Sequence, residues 1–160
     1  MTLTFQDMLK GEEEAVSQLV EMVFDGFVAP DLADEGVEEF KRFIAPEALR
    51  EKVAEGEAFV ITAKDGSDMV GVVAIREYQH IFLFFVREDF QRKGVARRLF
   101  SMALERCRGE KTGLTGITVN SSPYALPIYE SLGFVATEPE KVKNGIRHTP
   151  MLYEIRDSLT

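Results

Sequence analysis

The sequence predicts a single mixed α/β domain. Segments with the apolar spacing of amphipathic helices alternate with apolar runs of strand length, in the order β-α-α-β-β-β-α-β-α-β-β. One of these runs, at residues 80–86, is apolar on both faces, as expected of a strand in the middle of a sheet. The chain has 160 residues, a length typical of one domain, so we expect residues 1–160 to fold as one unit.

The first third of the chain is predicted to be mainly helical. A short strand at Thr2–Asp7 comes first. After it, apolar residues recur at i, i+3 and i+4 with charged residues opposite, the pattern of helices that bury one face. The expected segments are a helix at Glu12–Phe27, a loop at 28–36, a second helix from about Val37 that Pro46 interrupts, and a short helix at Glu47–Glu55.

Three strand candidates follow. Ala58–Ala63 and Met69–Glu77 are separated by Lys64-Asp65-Gly66-Ser67, which is typical of a hairpin turn. The third candidate is His80–Val86. Regular alternation would place His80, Phe82, Phe84 and Val86 on one face of that strand and Ile81, Leu83 and Phe85 on the other.

The last part of the chain combines helices with short strands. Ser122-Pro123 is a typical helix start, whereas Pro127 removes a helical hydrogen bond, so we expect a kink or a late start there. Gly133 is typical of a helix C-cap. The expected segments are helices at Lys93–Arg108 and Ser122–Leu132, strands at Gly116–Asn120, Phe134–Thr137 and Thr149–Ile155, and a turn at Lys143-Asn144-Gly145.

Composition argues against several classes of function. The net charge of −8 argues against nucleic acid as a partner, because neutralising phosphates needs a basic surface. No apolar run approaches the ~20 residues of a membrane span, and the N-terminus lacks the pattern of a signal peptide. One cysteine, Cys107, and two distant histidines, His80 and His148, predict no internal disulfide and no metal site. We therefore expect a cytoplasmic protein with no nucleic-acid or membrane partner.

The most informative stretch is Gln91-Arg92-Lys93-Gly94-Val95-Ala96-Arg97-Arg98. It reads Q-x-x-G-x-A, follows an apolar strand candidate and opens an amphipathic helix. The first turn of a helix has unpaired N–H groups and the positive end of the helix dipole, which together bind phosphate. Gly94 has no Cβ to keep a diphosphate from the backbone. Taken alone, the pattern fits equally well a helix with a solvated basic face.

A second segment follows this helix. It runs Val119-Asn120-Ser121-Ser122-Pro123-Tyr124-Ala125-Leu126-Pro127-Ile128-Tyr129-Glu130-Ser131-Leu132-Gly133-Phe134. With both segments present in this order, the sequence resembles the GCN5-related N-acetyltransferase (GNAT) superfamily. The first segment is similar to the family's pyrophosphate-binding loop, and the second to its N-x-x-A/P-x-x-x-Y-x-x-L-G-F segment. The resemblance is specific in its motifs over residues 80–98 and 117–134.

This resemblance implies a fold and a cofactor. The fold is a mixed, mostly antiparallel sheet flanked by helices, with a central splay at which the pantetheine arm of acetyl-CoA inserts. In relatives, main-chain groups at the positions of Phe84 and Val86 bond the acetyl carbonyl and the pantetheine. The loop's N–H groups hold the diphosphate. The cofactor-binding residues implied are Phe84, Val86, Gln91, Arg92, Lys93, Gly94, Val95, Ala96, Arg97, Asn120 and Tyr129.

Tyr129 is the residue to which the resemblance assigns catalysis. It matches the tyrosine that protonates the departing thiolate in many relatives, and a tyrosine hydroxyl can serve as a general acid. The amine must also lose a proton, and the candidates for the base are His80, which titrates near neutrality, and Glu77. Glu38 and Glu39 are candidates for binding a cationic acceptor. A structural or solvated role is the alternative for each of these side chains.

The sequence therefore predicts an acetyl-CoA-dependent N-acetyltransferase that passes acetyl directly to a primary amine of a small molecule or peptide, without a metal. The rival hypothesis is a non-catalytic acyl-CoA-binding module that senses the cofactor or binds a partner. An unrelated nucleotide-phosphate binder is disfavoured, because no phosphate-loop lysine follows Gly113-Leu114-Thr115-Gly116. The acceptor amine and the general base stay open, as does a homodimer, which is frequent among relatives.

Overall fold

In the computed structural model, which describes residues 2–156, five α-helices flank one sheet. They are α1 (Glu13–Val23), α2 (Asp34–Phe43), α3 (Pro46–Ala54), α4 (Val95–Glu110) and α5 (Leu126–Leu132). A π-helix at Phe24–Val28 and a 3-10 helix at Ala29–Asp31 continue α1, and another 3-10 helix at Glu88–Phe90 precedes α4. None of the helices in this part of the chain is long and apolar enough to cross a membrane.

Eight strands make up the sheet in the described residues. They are β1 (Leu3–Asp7), β2 (Ala58–Asp65), β3 (Asp68–Arg76), β4 (His80–Val86), β5 (Gly116–Ser121), β6 (Val135–Ala136), β7 (Lys141–Lys143) and β8 (Ile146–Glu154). Their order is β1-β2-β3-β4-β5-β8-β6, with β7 paired to β8. The pairing of β4 with β5 is parallel and the others are antiparallel. This confirms the mixed, mostly antiparallel sheet, with the strand at 80–86 in its middle.

Each face of the sheet has its own hydrophobic core. On one face, α4 contributes Val95 and Leu99 to a buried cluster that includes Val73 of β3. On the opposite face, α1 contributes Val16 to a second cluster that includes Val72 of β3. Successive residues of a strand point to opposite faces, so β3 supplies both cores. Each fully buried aliphatic side chain stabilises the fold by about 1.5–3 kcal/mol, and together the clusters hold the sheet between its helices.

Strand β4 contains a β-bulge at Phe82. Ile81 pairs with Ile75 of β3 and Leu83 pairs with Ala74, so Phe82 is an extra residue between two ladder pairs. Phe82 therefore packs with Leu83 in the α1-side cluster, whereas Ile81 belongs to the α4-side cluster. The predicted alternation is wrong at Ile81 and Phe82, because one inserted residue shifts the side-chain period by one.

Strands β4 and β5 separate directly after this bulge. They pair at His80–Thr118 and at Ile81–Val119, and the later residues of the two strands are not paired with each other. A bulge bends the strand that carries it and increases its twist, so Phe82 supplies a physical reason for β4 to leave β5. The splay implied by the sequence resemblance lies at this point.

The last helix begins later than its first turn signal suggests. The helix expected at Ser122–Leu132 starts at Leu126, with Pro127 in its first turn, which confirms a late start at this proline. The prediction of a helix start at Ser122 is wrong, because Pro127 has no N–H with which to bond the carbonyl four residues earlier. Ser122 therefore begins only a turn, in which its hydroxyl accepts a hydrogen bond from Ala125 N at 3.1 Å.

Other elements also differ from the prediction. Helix α2 starts at Asp34, inside the segment 28–36 that was expected to be a loop, and the first helix becomes a π-helix at Phe24. The hairpin turn between β2 and β3 shortens to Gly66-Ser67, because both strands continue into the turn segment. Strand β7 is missing from the predicted order, because three exposed residues beside a turn show no periodicity.

Helix α2 and the β7–β8 turn touch through two glycines. A Cβ on Gly36 would lie 2.3 Å from the carbonyl oxygen of Gly145, and a Cβ on Gly145 would lie 2.7 Å from the nitrogen of Gly36. Ala33 N also donates to the Gly145 carbonyl at 3.3 Å. Only residues without a Cβ allow two backbones to approach this closely. The contact holds the β7–β8 turn against α2.

Replacing Gly36 with alanine should lower the free energy of unfolding by about 1–3 kcal/mol, because the methyl group overlaps the Gly145 backbone. Urea unfolding followed by circular dichroism measures this loss. Gly109→Ala is the matched control, because Gly109 is helical and a Cβ there meets nothing within 4 Å. Alanine at this control position should leave stability unchanged or raise it by up to ~1 kcal/mol. Equal stability of the two variants would contradict the close contact between α2 and the turn.

Candidate active site

A cavity of about 710 Å³ lies where β4 and β5 separate. This volume is within the usual range of small-molecule sites. Its walls come from β4, β5, the start of α4 and α5, and also from the π-helix, α2 and the β7–β8 hairpin. Because these elements belong to both faces of the sheet, the cavity passes through the sheet at the splay.

The main-chain groups of Phe84 and Val86 face this cavity. Arg87, directly after β4, donates its N–H to Val70 O of β3 at 2.8 Å, so by alternation Phe85 is the neighbouring β4 residue that bonds β3. The N–H and C=O groups of Phe84 and Val86 therefore point to the opposite edge of β4, from which β5 has separated. Phe84 and Val86 both line the cavity.

The opposite wall presents the main chain of Asn120. Thr118 N donates toward β4, to Gln79 O at 2.9 Å, and Asn120 has the same direction because it lies two residues further along β5. Its partner on β8 is Pro150, which has no N–H and whose carbonyl accepts from Thr137 N at 2.9 Å. Asn120 lines the cavity and thus offers it main-chain groups that lie outside the β5–β8 ladder.

The loop between β4 and α4, which we call the anion loop, ends in backbone N–H groups whose arrangement suits an anion. Gly94 has a φ of 83°, a left-handed conformation that favours glycine, and a Cβ there would meet nothing within 4 Å. The helical bonds of α4 begin with Arg98 N, which donates to Gly94 O at 3.0 Å. The N–H groups of Val95, Ala96 and Arg97 precede this bond and lie at the positive end of the helix dipole.

Two of the four basic side chains near this loop line the cavity, namely Arg92 and Arg97. Lys93 instead lies over the ring of Phe90, with its Nζ 5.4 Å from the ring centroid. Arg98 lies over a phenylalanine ring of β1 at 4.9 Å. Lys93 and Arg98 therefore contact aromatic rings outside the cavity, and the structure separates them from the two arginines that can contact a bound anion.

Gln91 links the anion loop to β4 and to the segment before α5. Its Nε2 donates to Val86 O at 3.0 Å, and its Oε1 accepts a hydrogen bond from the Tyr124 hydroxyl at 2.9 Å. The Tyr124 ring stacks on Phe27 of the π-helix, with 4.8 Å between centroids. Since the Val86 carbonyl is already bonded, the Val86 N–H is the group left for a ligand. This side-chain role of Gln91 was not visible in the sequence, because Tyr124 is distant along the chain and the bond to Val86 depends on how the loop folds back on β4.

Tyr129 is buried beside the splay. Only 6% of its surface is exposed, and its ring packs edge-on against Phe84 at 5.8 Å and Phe134 at 5.3 Å between centroids. Burial raises the pKa of the Tyr129 hydroxyl well above its usual value, so the hydroxyl carries its proton at neutral pH. Because Tyr129 lines the cavity, its hydroxyl can serve a ligand held between β4 and β5 as a proton donor.

Sequence comparison decides the family. Residues 28–155 match the family model described as an acetyltransferase (GNAT) domain. The chain belongs to the GNAT acetyltransferase family. A curated relative, the UPF0039 protein of Schizosaccharomyces pombe, is 31% identical over 70 residues, which is 44% of this chain. The match spans about half of that relative, 47% of its length.

Solved structures show the same fold for this acetyltransferase. The chain is similar to a GCN5-related N-acetyltransferase from Rhodopseudomonas palustris, with 19% identity over 97% of both chains and a TM-score of 0.79. It is also similar to the PaiA N-acetyltransferase from Thermoplasma acidophilum, whose structure contains coenzyme A. That similarity has 11% identity, covers 97% of this chain and 100% of the other, and has a TM-score of 0.81.

The two base candidates from the sequence lie away from the cavity of this acetyltransferase. Neither His80 nor Glu77 is among the described residues that line it, and Glu38 and Glu39 are not among them either. His80 starts β4, four residues or roughly 13 Å along the strand from Phe84, and Glu77 lies in the exposed turn before it. Their positions support structural or solvated roles.

His148 of β8 is a functional candidate that sequence reasoning missed. It lines the cavity, and its Nδ1 lies 3.3 Å from Ile146 O, so Nδ1 donates and Nε2 is left as a proton acceptor. In the sequence this histidine stands outside both motifs. The only signal that could have pointed to it was the predicted turn at Lys143-Asn144-Gly145, which brings β8 back beside the cavity.

His80 should contribute to the pH dependence of stability and not to turnover. Burial, and then the nearby charge of Arg76, lower the pKa of His80 from 6.5 to about 4 in the folded protein. Between these two values the unfolded chain binds more protons, so stability should fall as the pH decreases from 6.5 to about 4. His80→Asn should flatten this decrease in urea unfolding and keep acetyl transfer within about twofold. A large loss of turnover would restore His80 as a base candidate.

Proposed function

We propose that this acetyltransferase passes the acetyl group of acetyl-CoA directly to a primary amine of a small molecule or peptide. One observation carries the proposal: a cavity joins an anion site, free main-chain groups on two separated strands and a buried tyrosine hydroxyl. These three features match three parts of the donor, which are the diphosphate, the pantetheine amides and the thioester.

Donor binding follows from the order of these features. The diphosphate binds the N–H groups at the start of α4, as phosphates do at helix N-termini, and Arg92 and Arg97 add positive charge. The pantetheine arm has amides of its own, so it binds between β4 and β5 like a short extra strand, through the main chains of Val86 and Asn120. The thioester then lies near Phe84, whose N–H polarises the carbonyl.

The transfer requires one bond to form and one to break. The amine nitrogen attacks the thioester carbon, so the C–N bond forms, and the C–S bond then breaks with its electron pair going to sulfur. The sulfur takes a proton from the Tyr129 hydroxyl, and the amine gives one proton to Nε2 of His148. Both side chains then exchange protons with water. Products are the acetylated amine and free coenzyme A.

A covalent acetyl-enzyme through cysteine does not fit this geometry. Cys107 is the only cysteine in the sequence, and it is buried in α4 away from the cavity. Burial raises the pKa of the Cys107 thiol to about 11, so it is not a thiolate at neutral pH. Direct transfer within one complex of donor and acceptor is therefore the proposed route.

Gly94→Ala should weaken acetyl-CoA binding by about tenfold or more in calorimetric titration. Alanine is strained at a φ of 83°, and its methyl group would occupy space beside the anion site. Gly113→Ala is the matched control, since Gly113 also has a positive φ of 79° and open space around a Cβ, but does not line the cavity. It should lose a similar amount of stability and keep its affinity. Equal affinities of both variants would contradict diphosphate binding at this loop.

Tyr129→Phe should lower kcat by about 10²-fold or more, the usual effect of general acid catalysis, and leave the Kd of acetyl-CoA nearly unchanged. The ring and its contacts with Phe84 and Phe134 are kept, so only the hydroxyl is removed. Stopped-flow detection of free thiol measures the transfer. Tyr153→Phe is the control, because Tyr153 packs on Phe134 without lining the cavity.

Two results would count against this proposal. An undiminished kcat in Tyr129→Phe would show that Tyr129 is not the general acid. Direct transfer would then need another group to protonate the thiolate. Tight binding of acetyl-CoA to the unaltered protein, without thiol release for any primary amine tested, would instead favour the non-catalytic binding module.

A further inference from the structure

The part of the cavity that the donor does not occupy is lined, among the described residues, by basic and not by acidic side chains, although the chain as a whole is acidic. We define the acceptor half as the part of the cavity on the α1 side of the sheet. It is lined by Phe24, Phe40 and Phe85 and by Lys143 and Arg147 of the β7–β8 hairpin. It lies across the splay from the anion loop. The donor occupies the loop side in the proposed function, so the acceptor amine enters from this half.

Aromatic rings form one wall of the acceptor half. Phe24 and Phe40 stack with 4.2 Å between centroids, and Phe40 also contacts Phe85 of β4 at 6.1 Å. Rings of this kind bury large apolar area and favour an apolar or aromatic ligand body. A small, fully hydrated polar amine would leave this surface without a partner.

No carboxylate of the described residues lines the cavity. The sequence has 27 acidic residues against 19 lysines and arginines. The absence of acidic side chains from the described part of the cavity lining therefore does not follow from the composition and is specific to this site. The acidic residues of neighbouring α2, Asp34, Glu35, Glu38 and Glu39, all lie outside the cavity lining. A polycationic acceptor would therefore find no counter-charge among these residues.

Two cations of the hairpin line the acceptor half, and they differ in how they are paired. Arg147 is held by Glu140, with N–O distances of 3.1 and 3.2 Å, and lies 3.7 Å from Asp31. Lys143, by contrast, forms no ion pair with any carboxylate of residues 2–156. An anionic group on the ligand can therefore pair with Lys143 without displacing a carboxylate of the protein.

The same arrangement favours the reactive form of the amine. Nearby positive charge and an apolar wall both disfavour an ammonium ion, so they lower the pKa of a bound amine. The neutral amine is the nucleophile, and His148, which also lines the cavity, takes the proton that it releases on attack.

We propose that the natural acceptor is an amine with an apolar or aromatic body and one carboxylate, and that Lys143 binds this carboxylate. This inference rests on the proposed function and adds the substrate class to it. In the reaction the amine forms the new C–N bond to acetyl, coenzyme A leaves as the thiol, and the carboxylate is unchanged. Acceptors of the polyamine class should be poor substrates.

The test uses matched pairs of amines at saturating acetyl-CoA, with thiol release as the readout. L-phenylalanine is compared with 2-phenylethylamine and L-leucine with isoamylamine, since the members of each pair differ by the carboxylate, and spermidine represents polycations. We expect a kcat/KM at least about tenfold higher for each amino acid than for its decarboxylated partner, and the lowest value for spermidine.

Lys143→Met should lower kcat/KM for the amino acids by about tenfold, as expected for the loss of one charge-assisted hydrogen bond, and leave the decarboxylated amines within about twofold. Lys141→Met is the matched control, because Lys141 lies on the same strand, pairs with Glu138 at 2.6 Å and does not line the cavity. It should change none of the values.

Other results would overturn either the proposed acceptor class or the proposed contact of Lys143 with the carboxylate. Preference for spermidine, or no turnover of either amino acid, would overturn the acceptor class. Equal losses for both members of a pair in Lys143→Met would overturn the carboxylate contact. Calorimetric titration of acetyl-CoA on the same samples separates these results from failure of the proposed function, in which acetyl-CoA itself would not bind or no amine would be acetylated.

Discussion

The bulge at Phe82 is the local feature on which the site depends. It follows the last residue pair between β4 and β5, and beyond it the two strands are no longer hydrogen-bonded to each other. A sheet normally satisfies main-chain donors and acceptors between neighbouring strands. By opening the sheet, the bulge leaves polar main-chain groups of Phe84, Val86 and Asn120 facing a cavity, and so turns a structural ladder into a binding surface.

Unpaired main-chain groups carry a free-energy cost, which a ligand with its own amides can offset. The fold limits the cost to a few residues. After the bulge, the Phe84 ring packs against Tyr129, and at the end of β4 the Gln91 side chain bonds the Val86 carbonyl. The open edge is thus held by a packing contact and a hydrogen bond, which reduce the ordering that a ligand must supply. A ligand that bridges β4 and β5 would also stabilise the folded state by mass action.

Charge is distributed unevenly between the surface and the cavity. The chain as a whole is acidic, with a net charge of −8, yet the charged side chains that line the cavity are basic, among them Arg92, Arg97 and Lys143. An acidic exterior around a basic cleft concentrates the attraction for anions at the cleft. The contact between Gly36 and Gly145 helps to place positive charge in the acceptor half, because it keeps the hairpin that carries Lys143 against α2.

The sequence alone determined the local elements and the donor motifs. Helical periodicity, the apolar strand at His80–Val86 and the Q-x-x-G-x-A loop all depend on neighbours within a few residues, so they could be read before the structure. Only the tertiary structure decided the bulge at Phe82, the bond from Gln91 to Val86, the exclusion of His80 from the cavity and the arrival of His148 and Lys143 in it. Each of these depends on the pairing register of strands or on contacts between different elements, for which local periodicity carries no signal.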